Sequence, residues 1–170
     1  MSDSDSQVQL LRISAEQYGE KYQEHLLEQY KLFVETVEQV TDRRLNASNY
    51  FLTLNAFLIS LFGVLANFSG TGSLGSKIWS FLVPVAGLLI CITWVTIIKS
   101  FRQLNSGKFK VIHELETVLP AALFNAEWTV LERGRGKIYT RTTLVEVLVP
   151  RIFAGLYIVL AIFGVVNLFL

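Results

Sequence analysis

Apolar positions along the chain follow two different patterns. In the first, three runs carry no charged side chain: Asn49 to Phe68, Ile78 to Ile98 and Ile152 to Leu170. Each is close to the ~20 residues an α-helix needs to cross ~30 Å of hydrocarbon, so each is read as a transmembrane helix. In the second, apolar residues recur at helical spacing. Tyr18, Tyr22, Leu26, Tyr30, Phe33, Val37 and Val40 step by four and three, forming one stripe, and from Leu26 onward they follow the repeat of a coiled coil. The opposite face carries Glu20, Glu24, Glu28, Glu35 and Glu38, with Lys21 and Lys31 as its only bases. An amphipathic helix with an acidic outer surface is expected over 13–48, after a flexible 1–12.

The two remaining connections differ sharply in size. Residues 69–77, SGTGSLGSK, form a short polar, glycine-rich loop too small for an external receptor site. Residues 99–149 form a longer helical segment. There Asn105-Ser106-Gly107 predicts a break, followed by a short helix from Lys108 to Leu119 ending before Pro120. Segment 132–142, ERGRGKIYTRT, reads as an exposed basic loop, and Pro150 suits the first turn of a third span over 150–170. The fold class predicted is an all-α membrane protein with three spans at 49–68, 78–98 and 150–170.

Charge then orients the helices. The segment before the first span has five Lys and Arg, residues 99–151 have nine, and the intervening loop has only Lys77. The positive-inside rule places both larger segments in the cytoplasm, with the C-terminus outside. The N-terminus is polar and acidic without a basic region leading into an apolar core, so no secretory signal peptide is expected. The net charge of +1 conceals a division: nine acids to five bases before the first span, and nine bases to five acids in 99–151. Such complementary segments favour association within or between subunits.

The first span is unusually polar. An amide in hydrocarbon is costly unless bonded, so Asn49, Thr53 and Asn55 are expected to face another helix or a water-filled space. Asn49, Thr53, Ala56, Ser60, Gly63 and Asn67 lie along one side, a stripe suited to close helix packing, with pore lining as the alternative. In the second span Ser80, Pro84, Gly87 and Cys91 make a similar stripe, and in the third Ala154, Ala161 and Gly164 do so. Arg43, Arg44 and Arg151 stand at span boundaries where basic side chains contact lipid headgroups. Arg133, Arg135, Lys137 and Arg141 are candidates for lipid or another anionic ligand.

Little in the chain suggests catalysis. His113-Glu114-Leu115-Glu116 lacks the second histidine of a metalloprotease helix, because position 117 is Thr. The stretch ERGRGK lacks the spacing of a phosphate-binding loop, and Cys91 is the sole cysteine, so no disulfide forms within the chain. No Asp, Glu, Lys, Arg or His lies within the three charge-free runs, which disfavours proton-coupled transport. Neither an enzyme nor a cofactor, metal site or nucleic-acid partner is expected.

The segment from Trp94 to Trp128, with its ordered RQLN, GKF, ELE, LP and EW elements, resembles the RipA-family octameric membrane proteins of bacteria. Arg43-Arg44 and the Asn49 to Asn55 run, with Phe51 and Leu54, add to the likeness, which covers roughly residues 25–155. The resemblance implies a small bacterial cytoplasmic-membrane protein that assembles as a homo-octamer, with Arg102, Asn105, Lys108, Glu114, Glu116, Pro120, Glu127 and Trp128 in a shared cytoplasmic core. Subunit contacts are expected there and at Leu26, Tyr30, Phe33, Val37 and Val40. The function expected is a membrane scaffold or stress-response component that engages itself, membrane lipids and a cytoplasmic protein or anionic ligand. The alternative is a gated pore or membrane-disrupting effector triggered from the cytoplasm.

Overall fold

The computed structural model describes residues 10–68, 74–131 and 142–169. Side chains are described within these stretches except at 66–68, 74–77, 142–145 and 167–169. Most of the loop at 69–77, all of 132–141 and residues 1–9 therefore lie outside the described residues. So do the side chains of Asn67, Arg133, Arg135, Lys137 and Arg141. The described elements are helices throughout: α1 (Ala15–Tyr18), α2 (Tyr22–Phe68), α3 (Leu74–Glu116), α4 (Leu123–Val130) and α5 (Thr142–Phe169). Three of them, α2, α3 and α5, are long and apolar enough to cross a membrane.

Several expected boundaries move. The helix expected over 13–48 is interrupted at Gly19, whose φ of 92° lies in the left-handed region that glycine tolerates. Past that point α2 does not stop at the start of the first span, since nothing between Tyr22 and Phe68 is a proline or glycine until Gly63. The predicted break at Asn105-Ser106-Gly107 is absent, and α3 runs through it to Glu116. Glycine in a helix costs only ~1 kcal/mol, which packing of the surrounding turns readily offsets. The helix ends three residues before the expected Leu119. Its chain then tightens through backbone bonds from the amides of Thr117, Val118 and Leu119 to carbonyls three residues back. Helix α5 begins at Thr142, so Pro150 sits inside it rather than in its first turn.

The chain divides into two compact units. The first comprises the described residues of Met1–Val40 and Leu104–Thr140. In it the stripe of α2 turns inward, burying Leu26, Val37 and Val40, and Ile112 of α3 is fully enclosed. A side chain such as Ile112 stabilises the fold by ~1.5–3 kcal/mol when taken out of water. Phe109 of α3 meets Phe124 of α4 edge to face at 5.9 Å.

The second unit comprises Thr41–Gln103 and the described residues of Arg141–Leu170, and it contains the apolar runs. Here Phe51, Trp94 and Ile98 form the core, with Phe153 and Val149 packed against it. The rings of Phe51 and Trp94 stack at 5.8 Å. Helices α3 and α5 approach closely where glycines replace side chains. The Tyr157 ring occupies the place where Gly87 would carry a Cβ, and Gly164 rests on the backbone carbonyl of Ser80. Pro84 lacks the N–H that a helix would direct at that same carbonyl, so the approach of α5 coincides with a local change in the backbone bonding of α3. Ser80 to Gly87 and Tyr157 to Gly164 are both steps of seven, the spacing that keeps two helices in contact along a shared seam.

Candidate assembly sites

Three clusters of polar side chains stand out, one in the first unit and two in the second. The first is built around Glu116. Its carboxylate is almost wholly buried, and a buried charge survives only with hydrogen-bond donors around it. Oε1 accepts the Phe124 N–H at 2.8 Å, and Oε2 accepts the Asn125 N–H at 3.0 Å. These are open amides in the first turn of α4, whose own N-cap, Ala122, has no side chain able to accept them. Glu116 thus caps a helix it does not belong to, and its negative charge meets the positive end of that helix. The Tyr30 hydroxyl of α2 donates to Oε1 at 3.3 Å, joining three helices at one carboxylate. Burial, together with the adjacent Glu116 charge, pushes the Tyr30 phenol above its usual value.

Nearby, Lys108 reaches α2. Its ammonium donates to Thr36 Oγ1 at 2.6 Å and lies 4.8 Å from the centre of the Phe33 ring. Thr36 passes the polarity on, donating to the Phe33 carbonyl at 2.6 Å. At the N-terminal side of the same unit, Tyr18 and His25 share a 2.8 Å hydrogen bond beside a shallow cleft of about 230 Å³ that also involves Leu11, Ile13 and Gln29. Among the described residues no three His, Cys, Asp or Glu side chains converge on a point that could hold a metal ion.

The second cluster lies among α2, α3 and α5. Asn55 is fully buried and donates to the Phe51 carbonyl one turn back at 2.8 Å. Its Oδ1 accepts the Cys91 thiol at 3.5 Å, and its backbone carbonyl accepts the Tyr157 hydroxyl at 3.3 Å. The third cluster is an ion pair: Arg44 lies 3.5 Å from Glu146, both largely buried.

These arrangements redistribute the expected residues. Leu26, Val37, Val40 and Glu116, expected at subunit contacts, are covered by this chain's own atoms, because the matching apolar face of α3 belongs to the same chain. Tyr30, Phe33 and Lys108 are half-buried against internal partners. Arg102, Glu114 and Trp128 remain exposed, while Asn105 has a buried Oδ1 without a hydrogen-bond partner among the described residues. Arg44, expected at lipid headgroups, has Glu146 as an ion-pair partner within the chain; Arg43 and Arg151 are exposed.

The polar residues of the first span separate by helical phase. Asn55 shares its side of α2 with Phe51 and points into the unit, whereas Asn49, Thr53, Ala56, Ser60 and Gly63 lie on an exposed side. Thr53 and Ser60 direct their hydroxyls to carbonyls of their own helix, at Asn49 and Ala56. The residues missed by sequence reasoning are Tyr157 and Glu146; Gly87, which seats the Tyr157 ring, lies on the stripe expected to admit a neighbouring helix. A basic residue at a span boundary together with an acid before the third span was the available signal for the ion pair.

Residues 27–166 match the Octameric membrane protein family (8xMP). The chain belongs to this family. Because the match runs from the first unit through all three apolar helices, the 8xMP assignment applies to the whole architecture and not to one span. No curated protein and no solved structure matches the chain. The chain is therefore a member of an octameric membrane protein family, and three of its helices are long and apolar enough to cross a membrane.

Proposed function

We propose that the chain is the subunit of a homo-octameric, non-catalytic scaffold in the bacterial cytoplasmic membrane, contributing to assembly and stress response through a cytoplasmic layer formed by its first unit. The observation that carries this reading is the exposed side of α2 at Asn49, Thr53, Ala56 and Ser60. Lipid tails offer nothing to an asparagine amide, whereas a neighbouring helix packs well on small and polar residues. The excess of Lys and Arg before the first span and after the second favours a cytoplasmic N-terminus. A cytoplasmic protein or an anionic ligand is the partner class, and membrane lipids surround the apolar faces. Native mass measurement in nanodiscs tests the assembly: an octamer is expected for the wild type and smaller species for Asn49→Leu with Ser60→Leu. Octamers persisting in that variant would remove this face from the interface.

A second reading, a pore gated from the cytoplasm, draws on the same exposed amide and hydroxyls, since such groups can line a wet path between subunits. Liposome conductance separates the two. The scaffold reading expects no current from the wild-type octamer; a current abolished by Asn49→Leu would establish the pore.

A further inference from the structure

We infer that, in the first unit, the outer side of α3 of one subunit docks on the outer side of α2 of the next, so that Lys31 pairs with Glu114 and Glu35 with Lys110 between neighbouring copies. The inference rests on the homo-octameric reading above and names where its copies meet. In α2 the side turned away from the buried Leu26 and Val37 carries exposed Glu28, Lys31, Glu35 and Glu38. In α3 the side turned away from Lys108 and Ile112 carries exposed Ser106, Gly107, Lys110 and Glu114. A spacing of four permits Lys31 to pair with Glu35 along α2, and Lys110 with Glu114 along α3, but each couple has its base before its acid, the weaker order on a helix. Among the described residues only Arg44 and Glu146 form an ion pair, so these four charges are left open there.

Register supplies the match. Helices α2 and α3 pair antiparallel, with Tyr30 level with Glu116 and Thr36 level with Lys108. Between those two contacts, Lys31 falls level with Glu114 and Glu35 with Lys110. The order of signs on one helix is thus the complement of the order on the other. Subunits that share one orientation in a membrane are related by rotation about its normal, and a ring so built joins two unlike faces of every copy. Because α2 and α3 continue from their apolar spans without a break, that rotation keeps level residues level. Base then meets acid at both levels when α3 of one copy lies on α2 of the next, whereas α2 on α2, or α3 on α3, sets like against like. Gly107 has open space where a Cβ would stand, so with Ser106 it lets the two backbones approach. Exposed ion pairs add modestly to affinity, and their arrangement selects partner and register.

The test uses the full chain in nanodiscs. With Glu35→Cys and Lys110→Cys in one chain, a short bis-maleimide should produce covalent species up to the octamer, while either single variant runs as a monomer on a denaturing gel; the buried Cys91 is common to all three. Separately, Glu35→Lys or Lys110→Glu should weaken each subunit contact ~5-fold or more, read as loss of octamer by native mass, and the two together should restore it. Absence of bridging in the cysteine pair overturns the inference. So does dimerisation of Glu35→Cys alone, which means that α2 meets α2, or of Lys110→Cys alone, which means that α3 meets α3. A double reversal no better than the single ones overturns it too. An octameric wild type without bridging leaves the scaffold reading standing, whereas a wild type that is not octameric defeats both. If a reversal misfolds, the cross-linking result stands by itself.

Discussion

Glu116 at the end of α3 accepts the Phe124 N–H of α4 at 2.8 Å, so a carboxylate seven residues upstream of α4 does the work of its missing N-cap. Replacing it with Ala removes bonds to two amides and one phenol, and leaves those donors unpaired in a partly buried place. The expected destabilisation is ~2–4 kcal/mol, since each orphaned buried donor costs ~1–3 kcal/mol and the losses overlap. Hydrogen exchange at Phe124 and Asn125 should accelerate selectively. Unchanged protection at those amides would mean that α4 is held by other contacts.

The contact between Gly87 and Tyr157 is steric. Gly87→Ala should destabilise the second unit by more than the ~1–3 kcal/mol typical of overpacking, because a ring with no room to move faces the new methyl. Tyr157→Phe, which removes only a 3.3 Å hydrogen bond, should cost about 0.6 kcal/mol. Combining Gly87→Ala with Tyr157→Ala should be less damaging than the sum of the two. Additive effects on unfolding in detergent would contradict the close approach.

Tyr30 links the first unit to alkaline pH. Its phenol is raised above the usual value by burial and by Glu116, so the folded protein holds this proton more tightly than the unfolded chain does. The associated stability is complete below the ordinary tyrosine value of about 10 and is lost as pH rises through the folded value. Melting temperatures measured on either side of pH 10 should therefore fall more steeply for the wild type than for Tyr30→Phe. Parallel slopes would mean that Tyr30 is solvated in both states.

Trp94 is stacked on Phe51, yet its buried Nε1 has no hydrogen-bond partner among the described residues. Trp94→Phe keeps an aromatic face and removes an unpaired donor, so its cost should stay below ~1.5 kcal/mol, whereas Trp94→Ala should cost ~3–5 kcal/mol. Equal losses in the two variants would point to an unseen partner for the indole N–H.

The linear chain determined the three spans, because crossing hydrocarbon is a matter of length and local composition, and both are read residue by residue. It also determined the inward stripe of α2 and the acidity of its other side, since helical periodicity fixes which residues share a face. Tertiary structure decided what those faces meet. Leu26, Val37 and Val40 found cover within their own chain, Arg44 found Glu146, and Asn55 was separated from Asn49 and Thr53 by a rotation about the helix axis. The continuity of α3 through Asn105-Ser106-Gly107 and the capping of α4 by Glu116 were likewise settled by packing. Local signals there are worth ~1 kcal/mol, and a few contacts between helices outweigh them.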